Sequence, residues 1–151
     1  MTELLTRLSI LILVGGAASL LVWIGRRFVE RQRQRALAAG PFNAIPGPDD
    51  TGTPAPASGP IRILAFSSAD CSQCHQLQTP ALRRVLKARG ESVTVVDVDA
   101  VAEHALVQTY RVLTVPSTVV LDATGNARAI NYGFANTQRL LEQVDAVMAK
   151  R

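Results

Sequence analysis

Cysteine is scarce in this chain: two in 151 residues, Cys71 and Cys74, with only two positions between them. A scaffold stapled by several disulfides is thereby excluded. A bridge closing so small a loop restrains little of the unfolded chain, so the pair is better explained by chemistry than by stability. Histidine is as rare, with His75 and His104 alone. A four-ligand zinc site would need all four of these residues, and His104 falls in a separate predicted helix, so no metal is expected. The pattern Cys71-x-x-Cys74-His75 also satisfies the attachment rule for a c-type haem. A haem domain is mostly helical and often wants a second axial ligand. The only methionines are Met1 and Met148, and the rest of the chain is strand-rich. We expect no cofactor.

A charge excess of one sign is also lacking, except in one place. The net charge is +4 and the pI about 9.7. Five arginines (Arg26, Arg27, Arg31, Arg33, Arg35) fall within ten positions, and setting them aside leaves 11 basic against 12 acidic side chains. The basicity is local. It reads as a membrane flank, and no nucleic-acid partner is expected.

What precedes the arginines is a long apolar run. Leu8 to Ile24 is 17 residues without a charge, with Trp23 near its end. A helix of that length reaches about 25 Å, near the short limit for crossing a bilayer core. Leu4, Leu5 and Gly25 extend it. A cleavable signal would want small residues just after the apolar core. Here the core runs into Arg26–Arg27, and the cleavage-like Ala36-Leu37-Ala38 lies too far downstream. We read a retained single-pass anchor over 1–25 with the lipid bilayer as partner, followed by a basic juxtamembrane segment over 26–39. Arg7 alone flanks the other end, so the arginine asymmetry places the rest of the chain on the cytoplasmic side. An extracytoplasmic placement is the alternative.

Residues 40–60 hold six of the eight prolines and four of the ten glycines, which reads as a linker. From Ile61 the pattern changes to short apolar runs alternating with helical spacing. Ile61–Phe66 suits a buried strand, and Cys71 to Ala88 carries Leu77, Ala81, Leu82, Val85 and Leu86 on one helical face. Val93–Val98 is a second strand, and Asp99 is placed to cap a helix bearing Leu106, Val107 and Tyr110. Val115–Leu121 is a third strand, and 122–126 a turn into a fourth at 127–131. Asn136 or Thr137 caps a last helix with Leu140, Leu141, Val144, Val147 and Met148. The reading is an α/β domain over 61–151, ordered β-α-β-α-β-β-α, after one transmembrane helix. About 91 residues are enough to bury a core.

Cys71-Ser72-Gln73-Cys74 then sits where a strand hands over to a helix. Unpaired N–H groups and the positive end of the helix dipole lower the pKa of a thiol placed there. Cys71 is the candidate nucleophile toward a partner disulfide. Cys74, one turn on, is the candidate resolving thiol.

From Ile61 onward the chain resembles the thioredoxin family. The resemblance rests on the cysteine pair and on Tyr110-Arg111-Val112-Leu113-Thr114-Val115-Pro116-Ser117, which looks like the segment leading to the family's cis-proline. It implies a minimal thioredoxin-like fold and a cis Pro116 facing the cysteines. It further implies that the Val115 backbone pairs with an extended substrate peptide, with protein disulfides as substrates and an upstream electron donor. Gly125 and Gly133 resemble the family's turn glycines. Pro80 resembles its kink proline, one residue late.

The departures bear on mechanism. Where many members carry a tryptophan and a buried acid, this chain has Asp70 and Ala65, and the lysine that accompanies the acid is replaced by Val95. Proton handling then falls to water or to another group, with His75 the nearest candidate. Asp70 disfavours a neighbouring thiolate and opposes the dipole, which favours a reductase. The alternatives are a non-catalytic thiol sensor or peptide-recruiting module, and an envelope dithiol oxidase.

Overall fold

The computed structural model describes residues 2–38 and 59–150. The chain divides into two units between Gln34 and Arg35. The first is formed by helix α1 (Thr2–Leu37), 36 residues without a break, whose last three residues, Arg35 to Leu37, belong to the second. The apolar run and most of the arginine-rich segment are therefore one helix, continuous through Gly25. Among the described residues it is the one helix long and apolar enough to cross a membrane. Leu13, Leu21, Trp23 and Ile24 are all exposed on it. Of the linker expected at 40–60, residues 40–58 lie outside the described residues.

The second unit follows the expected order. Strand β1 (Ile61–Ser67) leads through a loop and a wide helical turn, Cys74–Gln78, into α2 (Thr79–Arg89). Strand β2 (Val93–Asp99), the short α3 (His104–Thr109), β3 (Ser117–Leu121), β4 (Ala127–Tyr132) and α4 (Thr137–Met148) complete it. The sheet order is β2-β1-β3-β4. β1 runs parallel to β2 and antiparallel to β3, which is antiparallel to β4. A parallel pair needs a crossover, and α2 supplies it.

Strand alternation divides the core in two. Ile61, Ile63, Ala65, Val120 and Ala129 face α2 and α4, meeting Leu82, Val85, Leu140 and Val144. Leu64, Phe66, Val119, Leu121 and Ile130 face the other way, onto Leu106, Tyr110 and Val112. Because both faces are covered, β1 and β3 are buried almost throughout, which is why they read as continuous apolar runs. Asn136 caps α4 as expected, its side chain accepting from the Arg139 N–H. Gly125 takes φ +86° in the β3–β4 hairpin, a conformation that favours glycine.

Three expectations differ in detail. Asp99 caps no helix: its carboxylate accepts from Val101 N–H, shaping a turn, and α3 starts at His104. β3 starts at Ser117, not Val115, since Pro116 has no N–H to give a ladder. Leu77 is exposed, and Gln78 takes the inward place beside it. The wide turn adds a residue to one turn of helix and shifts the face presented to the core.

Candidate active site

The cysteine loop leaves the carboxyl end of β1, at the middle of the sheet. Cys71 and Cys74 are joined by a disulfide, with Cα atoms 5.3 Å apart. Cys71 is half-buried, and Cys74 is 3% exposed. The difference follows from where each sits: Cys71 in the loop, Cys74 at the base of the wide turn. Backbone hydrogen bonds fix the loop. Cys71 N–H donates to the Ser68 carbonyl, and the Cys71 carbonyl accepts from Cys74 and His75. The Cys74 N–H also points at Cys71 Sγ, at 3.2 Å. A backbone donor is thus already aimed at the outer sulfur.

The wide turn is closed on the Cys74 carbonyl, which accepts from the Thr79 N–H and from Thr79 Oγ1 at 3.0 Å. One side chain then ties this turn to the loop after β4. Gln78 donates from Nε2 to the Ala135 carbonyl (3.2 Å) and accepts through Oε1 from the Ala135 N–H (3.0 Å). Gly133, at φ +86°, turns the chain out of β4 so that Ala135 arrives there. Sequence reasoning passed over Gln78. The available signal was its spacing of four from Cys74, which puts the two on one side of a helix.

Pro116 is buried and Val115 half-buried, and the peptide between them is cis, as the resemblance implies. Register places this segment at the cysteine end of the sheet, because Phe66 of β1 pairs with Ser117. Ser117 Oγ donates to the Thr114 carbonyl at 2.7 Å, holding the approach to Pro116. Asp70 is exposed at the tip of the loop. His75 is exposed too, and its Nε2 donates to the Ala69 carbonyl at 3.3 Å, so the ring lies back over the loop. His104 opens α3 and is exposed, separate from the cysteines.

Ala65 is buried between Asp97 of β2 and Thr118 of β3, and Val95 packs against the same core. Among the described residues the buried polar side chains are Gln78, Ser117, Thr118 and Asn131, with no buried carboxylate. On the same sheet face as Ala65 lies a polar network, without a carboxylate, that sequence reasoning also missed. Asn131 donates to Thr118 Oγ1 (3.0 Å) and Gln143 Oε1 (2.8 Å), and its own Oδ1 accepts from Gln143 and Arg139. All four of its hydrogen-bonding places are filled, the condition under which a buried amide is tolerated.

No family model matches the sequence, and no curated protein is significantly similar to it. Solved structures do match. A thioredoxin-like protein from Clostridium perfringens superposes with TM-score 0.55 at 22% identity, over 62% of this chain and 75% of that one. Chloroplastic thioredoxin z gives 0.54 at 22%, over 63% and 84%. Oxidised mitochondrial thioredoxin 3 from Saccharomyces cerevisiae gives 0.51 at 20%, over 60% and 81%. At this level of identity the likeness is one of fold.

Proposed function

Starting from a thioredoxin-like fold that carries a Cys71–Cys74 disulfide, we propose that the protein is a membrane-tethered thiol–disulfide oxidoreductase working as a reductase. The observation that carries the reading is the asymmetry of the pair: a partly exposed Cys71 with a backbone N–H aimed at its sulfur, and a buried Cys74 behind it. A thiolate at Cys71 would accept that N–H, which favours the ionised form.

In the reduced protein the Cys71 thiolate attacks one sulfur of a partner disulfide. The Cys71–partner bond forms as the partner's own S–S bond breaks, and the departing sulfur leaves as a thiolate that takes up a proton. Cys74, losing its proton, then attacks Cys71 Sγ and expels the partner's second sulfur. The partner gains two electrons and two protons, and this chain is left with the Cys71–Cys74 disulfide. Val115 and Pro116, beside the loop, are the proposed peptide-binding edge, with the Val115 backbone pairing to the substrate. An upstream dithiol donor must return the pair to the reduced form. With Ala65 in place of an acid, the proton of Cys74 is handed to water or to His75. The exposed Asp70 supports the reductase direction, because a negative charge beside Cys71 works against thiolate accumulation and hence against a strongly oxidising pair.

Tethering is supported by the apolar length of α1 and the exposure of residues 12–31 on it, and a cytoplasmic-facing domain by its flanking arginines. The domain boundaries proposed are an anchor over 1–25, a basic segment over 26–39, a linker over 40–60 and the redox domain over 61–151.

The test is turnover of insulin disulfides, or of a disulfide dye, by the reduced protein with a dithiol donor. Wild type turns over and Cys71→Ser does not. Binding of the disulfide without turnover would instead indicate a sensor or recruiting module.

A further inference from the structure

Helix α1 does not stop where its apolar stretch stops. It continues unbroken from Ile24 through the arginines to Leu37. At about 1.5 Å per residue, Arg26 to Arg35 spans about 13 Å along the axis, roughly the depth of a headgroup layer. At 3.6 residues per turn Arg26 and Arg33 share one side of the helix, while Arg27, Arg31 and Arg35 lie on another about a quarter-turn or more away. The charges therefore cover roughly half of the helix circumference, as a partial collar.

Arg26, Arg27 and Arg31 are exposed. Glu30, the single acid between them, reaches Arg33 only at 4.0 Å, so the collar keeps most of its positive charge. At the junction the Arg27 guanidinium lies 4.8 Å from the centre of the Trp23 ring. That stacking sets an amphipathic ring and a cation together where apolar surface gives way to charge.

We propose that this collar binds the phosphate groups of anionic phospholipids, so that the tether selects its lipid surroundings. The inference rests on the tethered reading above and adds a lipid class to it. Guanidinium groups present forked donors that match phosphate oxygens, and neutral zwitterionic headgroups offer no net charge to hold them.

Trp23 is the lone tryptophan, so the full chain contains its own reporter at the collar. The protein is reconstituted in vesicles of phosphatidylcholine containing a minority of phosphatidylglycerol, with brominated acyl chains carried by one lipid or the other at equal mole fraction. Trp23 is expected to be quenched about twofold more by the brominated phosphatidylglycerol, by electrostatic enrichment beside the collar. The preference should fall in the R31Q/R33Q/R35Q variant, which keeps only Arg26 and Arg27, and persist in the matching lysine variant. It should vanish near 1 M salt, where the Debye length is about 3 Å. Equal quenching by both labels in the wild type overturns the lipid preference and leaves the anchor standing. Quenching by neither removes the anchor and the inference together. Loss of the preference on adding inorganic phosphate equal to the lipid phosphate would assign the collar to the free anion, overturning the lipid assignment.

Discussion

Gln78 and Ala135, 57 positions apart, are joined by two hydrogen bonds between one side-chain amide and the backbone N–H and carbonyl of one residue. The pairing closes the turn that follows Cys74 onto the loop that follows β4. Both residues are buried, so neither bond has water as a ready substitute.

Gln78→Ala should therefore cost about 2–4 kcal/mol, because it strands a buried donor and a buried acceptor at once. Gln78→Glu should cost more at neutral pH, since it keeps the acceptor and sets a carboxylate against the Ala135 carbonyl. Urea denaturation of the oxidised protein checks both. Near-equal stability of the wild type and the alanine variant would show that the clamp is redundant.

Cys74→Ser should accumulate a mixed disulfide with protein substrates through Cys71, because the resolving sulfur is gone while the accessible one remains. Cys71→Ser should trap nothing, since Cys74 is 3% exposed. Non-reducing electrophoresis after incubation with a disulfide substrate distinguishes the two. Equal trapping by both variants would reverse or erase the assigned roles.

Asp70→Asn removes the negative charge next to Cys71 and leaves the loop's backbone bonds in place. The reduced variant should reach half-maximal alkylation at lower pH than the wild type, because its thiolate no longer faces a like charge. Its reduction potential should rise as the thiolate is favoured. Superimposable rate–pH curves would remove Asp70 from the account.

Acid stability should depend on Asp122. Burial pushes its carboxyl up, but hydrogen bonds from Thr124, Asn126 and Arg128 together outweigh that and hold it below the usual carboxylate range. Its folded pKa is thus depressed, so its contribution is full above the unfolded value of about 3.9 and is lost as pH falls through the folded value. Asp122→Asn should be less stable than wild type by about 1 kcal/mol at pH 7, with the gap narrowing below pH about 4. Denaturation midpoints at pH 7 and pH 3 test it, and a gap unchanged with pH contradicts it.

Element types were legible because both covered faces of the sheet leave continuous apolar runs, and because α4 announces itself with Asn136 and a helical stripe. The cysteine site was legible for a similar reason: Ile61–Phe66 before it and Ala81–Val85 after it mark a strand-to-helix junction. Leu77 misled, since helical spacing counts every turn as regular and the turn Cys74–Gln78 is not. Asp99 misled because an aspartate accepts N–H bonds in a turn as readily as at a helix start. The Asn131 network stayed hidden because its partners, Thr118 of β3 and Arg139 and Gln143 of α4, lie on elements that only the folded domain brings to β4. Each of them alone reads as an ordinary surface residue.

The extra residue wound into Cys74–Gln78 makes the spacing between the inner sulfur and its supporting amide a matter of phase. Deleting one residue there would let the helix relax to an ordinary winding and would rotate everything behind it. Leu77 or His75 would swing toward the core, and the amide would miss the far loop. The site therefore tolerates an exchange of side chains far better than a change of length.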